Sequence, residues 1–143
     1  MTRKKLTEAI AGATREYGFA FQTGAAYRIA PELKRLPAAW LHPPRCEKTE
    51  GRNEGFVTYS VKLELMEAYE AGRGTAEDER WAGLEEKASA ICRRLGQGEG
   101  IQVVSGMEFL PAELSLTAQG EQSLGVQFKV RMPFCKYCDC GDQ

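Results

Sequence analysis

Hydrophobic positions recur along this chain with two different periods. Over residues 4 to 17, Leu6, Ile10, Ala13 and Tyr17 are spaced four, three and four apart, which places them on one face of a helix. Gly18 supplies the stop. Arg3, Lys4 and Lys5 oppose the positive end of the helix dipole, so the first turn is expected to fray or the helix to begin nearer Thr7. A second helix is predicted from about residue 76 to 95, where Trp81, Leu84, Ala88, Ile91, Cys92 and Leu95 form a single stripe. Thr75 is its expected N-cap, with Asp78 three residues on and Glu77 and Glu79 in the first turn. Arg93 and Arg94 suit its C-terminal end, and Gly96 ends it. Such a stripe fits a helix lying on a sheet or on an identical neighbour.

Elsewhere the period is two. Val57, Tyr59, Val61, Leu63 and Leu65 alternate with Thr58, Ser60, Lys62 and Glu64, the pattern of a strand with one buried and one wet face. Val126, Phe128, Val130 and Met132 alternate with Gln127, Lys129 and Arg131, and Pro133 is expected to end that strand. Phe19 and Phe21 indicate a short extended segment, and residues 31 to 36 (PELKRL) one helical turn ended by Pro37. Residues 38 to 42 read as a strand anchored by Trp40, which Pro43 and Pro44 restrict to an edge or to the end of a ladder. The polar run 47 to 55 (EKTEGRNEG) predicts a long, mobile hairpin tip. Gly72 and Gly74 belong to a linker. Further strands are expected over 101 to 104 and within 109 to 116, after Pro111, with Leu114 and Leu116 alternating, and residues 119 to 123 make a turn.

The order is therefore α-β-β-α-β-β: an α+β fold, a mainly antiparallel sheet with two helices packed on it. Residues 1–134 form a single domain and 135–143 a Cys-rich C-terminal tail. There is no internal repeat.

Composition narrows function more by exclusion than by signal. A chain of 143 residues buries about 68–70% of its unfolded surface and needs no disulfide or metal to own a core. Nineteen Lys and Arg against 20 Asp and Glu give no global reason to expect nucleic-acid or membrane binding. Glu8, Arg15 and Glu16 interrupt any signal-peptide core, and no apolar run approaches the ~18 residues needed to span a bilayer, so cytoplasmic sequence is expected. Five cysteines, two of them (Cys46 and Cys92) remote from the rest, fit reduced thiols better than a disulfide framework.

One local motif has chemical content. Cys135, Cys138 and Cys140 stand in a C-x-x-C-x-C arrangement whose short spacings let one turn aim several sulfurs at a soft metal ion such as zinc. A fourth ligand would come from Cys46, His42, Asp139 or a neighbouring subunit, and the alternative is free thiols on a tail. His42 with Cys46 four residues on invites a nucleophile and base, but consecutive positions at a proline-stiffened strand end bring no orienting third group. Asp78 and Glu79 suit capping, and Glu85 and Glu86 a solvated face, better than paired acid–base work. Gly96, Gly98 and Gly100 follow a helix and precede a strand, the reverse of a phosphate loop. Lys34, Arg35 and Arg45 around Trp40 read as a solvated rim over a core tryptophan. No catalytic or cofactor-binding residue is assigned, and the chain is not expected to be an enzyme.

The whole pattern resembles the small tail-terminator and minor tail proteins of long-tailed phages and prophages. The residues that carry the likeness are the first helix, the proline-rich segment with a strand at Trp40, the polar hairpin, VTYSVKLELME, the helix ERWAGLEEKASAICRRL and the final GVQFKVRMP, about residues 4 to 133. The Cys-rich tail lies outside it. The resemblance implies a structural protein that forms a ring, commonly of six subunits, caps the tail tube and meets tail-tube and neck proteins, in the cytoplasm during assembly and in the virion tail afterwards. A second expectation is a small metal-binding regulatory or interaction module that uses the cysteine cluster.

Overall fold

The computed structural model describes residues 2–68, 77–112, 115–117 and 120–135. The first helix, α1, covers Thr2–Glu16 and buries Leu6, Ile10, Ala11, Ala13 and Thr14. It starts earlier than its dipole predicts because its first turn is held from outside. Thr2 Oγ1 lies 3.3 Å from Tyr59 Oη, and the Arg3 guanidinium sits 5.5 Å from the centre of the same ring. Tertiary contacts of this kind offset an unfavourable end charge of a few tenths to 1 kcal/mol, roughly.

After α1 the chain forms β1 (Ala20–Thr23), a 3₁₀ turn (Ala26–Arg28), α2 (Ile29–Glu32) and β2 (Ala38–Leu41). Next come β3 (Arg45–Gly51), β4 (Glu54–Glu67), α3 (Glu77–Gly96), β5 (Gln102–Val103), β6 (Glu108–Pro111) and β7 (Gln122–Cys135). The α+β class holds, but the sheet is mixed and, among the described residues, there are three α-helices, not two. The seven strands among the described residues run β1-β2-β4-β7-β5, with β3 also paired to β4 and β6 to β7. Strands β1 and β2 are parallel, Ala20 opposite Ala38 and Thr23 opposite Leu41; every other pair is antiparallel. The parallel pair exists because residues 24–37 are long enough for a crossover. Its helical turns fall over residues 26 to 32, earlier than the predicted 31 to 36.

Three strand boundaries also differ from expectation. Residues 47 to 51 are strand, not hairpin tip: β3 pairs with β4 from Arg45–Ser60 to Gly51–Gly55. Gly51 turns the chain at φ +95, and a Cβ on either Gly51 or Gly55 would strike the facing backbone, Glu54 O and Glu50 O respectively. Strand β2 is interior, with β1 and β4 on its two sides, and it ends at Leu41, so Pro43 and Pro44 stand past the end of its ladder, one of the two placements expected. Strand β6 covers Glu108–Pro111, so it ends at Pro111 instead of following it. Strand β7 begins at Gln122, inside the expected turn, and runs through Pro133 to Cys135. Proline is tolerated there because β5 ends opposite Arg131, leaving β7 paired on one side only. The Gly72–Gly74 linker, the Thr75 cap and Leu114 lie outside the described residues.

Strands β4 and β7 pair along all of their 14 residues, Glu54 with Cys135 through Glu67 with Gln122. Odd positions of β4 and even positions of β7 face α1 and α3, and Leu84, Ala88, Ile91, Cys92 and Leu95 of α3 are buried against them. Trp81 is half-buried at the margin. The opposite face carries a smaller cluster of Ile29, Leu33, Ala38, Trp40 and Met66, covered by the crossover and by Leu116. Trp40 is fully buried and its indole N–H donates to Gly24 O at 2.9 Å. Among the described residues, no helix is long and apolar enough to cross a membrane.

Candidate functional site

The polar face of the β3–β4–β7 sheet is where this chain gathers its charged side chains. Even positions of β4 point away from the main core, and register puts Thr58 beside Arg131, Ser60 beside Lys129 and Lys62 beside Gln127. On the other flank Arg45 faces Ser60, Lys48 faces Thr58 and Glu50 faces Phe56. A register shift between Cys46 and Lys48 turns Glu47 to the same face. The Glu47 carboxylate accepts a hydrogen bond from Ser60 Oγ and lies 3.2 Å from Lys129 Nζ. Those two contacts, the serine first, hold its pKa below the ordinary carboxylate range. Lys48 Nζ is 3.7 Å from Glu50, and Arg131 stacks its guanidinium 3.8 Å from the centre of the Phe56 ring. Arg131 Nε, 3.8 Å from Glu50, is beyond hydrogen-bond reach, so stacking and charge attraction position it. Glu47, Lys48, Glu50, Thr58, Lys129 and Arg131 line a groove of about 470 Å³ together with Val104.

Farther along the same face a second polar pair is nearly enclosed. Glu64 is 8% exposed, although its even position predicts a wet face. His42 Nε2 lies 3.3 Å from its Oε1 and Lys62 Nζ 4.0 Å away. Gly125 leaves the space: a Cβ there would come within 3.3 Å of Glu64 Oε2. No pattern in the sequence announces this pair, because His42 and Glu64 meet only when β2 docks on β4.

The residues singled out from the sequence do not converge. His42 turns to Glu64, whereas Cys46 stands opposite Tyr59 and shares the other face of the sheet. Cys135 is half-buried at the end of β7, opposite Glu54 and five positions along β4 from the Cys46 register. Cys138, Cys140 and Asp139 lie outside the described residues. Among the described residues no three His, Cys, Asp or Glu side chains converge as a metal site. Burial pushes the Cys92 thiol up to about 12, so it is packed and unreactive. Lys34, Arg35 and Arg45 are exposed and Trp40 is buried; on α3 Asp78, Glu79 and Glu86 are exposed, whereas Glu85, expected on the same solvated face, is half-buried.

The arrangement suits recognition by matched charge. Glu47 and Glu50 meet basic partners on the neighbouring strands or on β3 itself, which leaves a patterned surface with basic residues in excess and one stacked aromatic. No protein-family model matches the chain, and no curated protein sequence matches it.

Proposed function

We propose that this chain is a structural subunit of a phage or prophage tail, assembling into a ring with a tail-terminator or head–tail joining role and performing no catalysis. The observation that carries this reading is a sheet open on both sides. Among the described residues, β1 and β3 border one side and β5 and β6 the other, each with a single paired neighbour. A subunit with two different open edges adds to its neighbours head to tail, and such a series closes into a ring when the rotation permits. The resemblance of the element order to tail-terminator proteins supports the same reading and suggests six subunits. The charged β3–β4–β7 face then serves as the surface for tail-tube or neck protein, where paired charges fix orientation more than affinity. A net charge of −1 suits a DNA conduit, since a strongly basic lumen would hold phosphates by counterion release. Assembly takes place in the cytoplasm and the product resides in the virion tail.

Light scattering coupled to size exclusion tests the ring, and co-sedimentation with tail-tube protein tests the partner. A defined oligomer that pelts with tubes and caps them is the expected result. A chain that stays monomeric at high concentration and ignores tubes would overturn the reading.

A further inference from the structure

We infer that β3 is a contact between two copies of this chain: it pairs antiparallel with β3 of a second copy about a two-fold axis, which joins the two sheets into one. The inference goes beyond the ring and does not need it, because β1 and the β5–β6 border remain for a head-to-tail contact. Its first support is an open edge. All seven residues of β3 are exposed, and among the described residues the strand pairs with β4 alone. Strand β1 does not reach it, since the β1–β2 ladder stops at Thr23 opposite Leu41, short of Arg45. The outward backbone N–H and C=O groups of β3 therefore face no strand of this copy, and such a row is a template for another chain.

The order of charges along the strand identifies the occupant. A two-fold axis perpendicular to a sheet keeps every side chain on its own face, so residues that stand opposite each other must point the same way. The bulge in β3 decides which residues do. Arg45 faces Ser60 and Cys46 faces Tyr59, but the next pair is Lys48 with Thr58, so Glu47 and Lys48 together fill one position of the pleat on the polar face. A two-fold axis at that position sets Arg45 opposite Glu50 of the second copy, Cys46 opposite Thr49, and Glu47 opposite Lys48. Each pair then shares a face, because Arg45, Lys48 and Glu50 stand beside even positions of β4, and Cys46 and Thr49 beside odd ones.

In this register every directly opposed charge meets its opposite, Arg45 with Glu50 and Glu47 with Lys48, each pair occurring twice by symmetry. Opposite charges across two strands stabilise the pairing and like charges weaken it. Moving the axis to Cys46 or to Thr49 also keeps the faces matched, but it shortens the ladder and sets Arg45 beside Lys48 or Glu50 beside Glu47. The charges are available to a partner. Among the described residues Arg45 makes no ion pair and acts on Glu47 only through its field. Glu50 meets Lys48 and Arg131 at 3.7 and 3.8 Å, beyond hydrogen-bond reach, so its carboxylate can accept from Arg45 of the second copy. Glu47 accepts from Ser60 and lies 3.2 Å from Lys129, and a carboxylate has lone pairs for a third donor. A strand that complements itself in sign, face and length fits a second copy of this chain.

Two sets of full-chain variants test the contact. Thr49→Cys puts a thiol opposite Cys46 of the second copy, at the ~4.5–5.5 Å between facing strand residues that a disulfide spans. Within one strand, residues three apart stand roughly 10 Å from each other and cannot be bridged. Mild oxidation is expected to give a dimer on a non-reducing gel whose mapped cross-link joins residues 46 and 49 of different chains. In the second set, Arg45→Glu and Glu50→Arg each replace two favourable pairs by two repulsive ones. Each is expected to weaken the dimer about tenfold or more in sedimentation equilibrium, and the double variant, with both signs exchanged, to regain it. Far-ultraviolet circular dichroism checks that each variant is folded, and the cross-link reads the same contact without altering a charge. A wild type that stays monomeric at high concentration, a cross-link that avoids the 46–49 pair, or a double variant no better than the single ones would overturn the contact. Dimers that never grow into rings would uphold it and count against the ring. Rings that survive both single reversals and give no 46–49 link would overturn it and leave the ring standing.

Discussion

Glu121 should hold the cover of the second core cluster, and replacing it separates a structural carboxylate from a surface one. The side chain is 3% exposed. Its Oε1 accepts from the backbone N–H groups of Leu116 and Thr117 at 2.5 and 3.0 Å, and its Oε2 from Thr117 Oγ1 at 2.5 Å. Ser115 Oγ donates to its backbone carbonyl. These bonds shape residues 115–117 so that Leu116 packs on the cluster containing Trp40 and Met66. Hydrogen bonds to a charged group contribute about 1.5–3 kcal/mol each and are not additive when they share an acceptor. Glu121→Ala removes the shared acceptor and is expected to cost about 3–5 kcal/mol, a large part of a domain's stability. Glu121→Gln keeps an oxygen for both N–H groups, and the Thr117 hydroxyl can reverse to accept from the new amide, so the cost falls to about 1 kcal/mol. Urea unfolding followed by tryptophan fluorescence measures both. Equal losses for Ala and Gln, or a loss under about 1 kcal/mol for Ala, would refute the reasoning.

Three further outcomes follow from the same contacts. Trp40→Phe removes the indole donor to Gly24 O and some volume from a fully buried site, for a loss of about 2 kcal/mol by chemical denaturation, against about 3–5 kcal/mol for Trp40→Ala. With its thiol raised to about 12, Cys92 should resist alkylation in the native protein at pH 8 while exposed Cys46 reacts, as peptide mapping by mass spectrometry reports. Glu47 titrates lower in the folded chain than unfolded, so its contribution to stability is present above pH 4.5 and is lost as pH falls through its folded value. An NMR titration should show that value moving up toward 4.5 in Ser60→Ala, because the serine is the larger cause; an unmoved value would refute the assignment.

Periodicity alone determined the two long helices and the two strongest strands. Leu6, Ile10 and Ala13, the stripe from Leu84 to Leu95, and the alternations at residues 57 to 65 and 126 to 132 all bury the faces their spacing assigns. A side chain's burial in such an element depends on local geometry, which a single segment encodes. What the sequence could not reveal depends on partners. All seven residues of β3 are exposed, so no apolar side marks it as a strand, and only backbone pairing with β4 makes it one. The parallel β1–β2 pair depends on how a crossover folds back. Glu64 looks like a wet-face residue until β2 brings His42 over it and Gly125 leaves it room. The charged groove is likewise legible as residues but not as a site, because its meaning lies in which face of the sheet those residues occupy. Local pattern determined the elements; pairing between distant strands decided the edges, and the edges carry the proposed function.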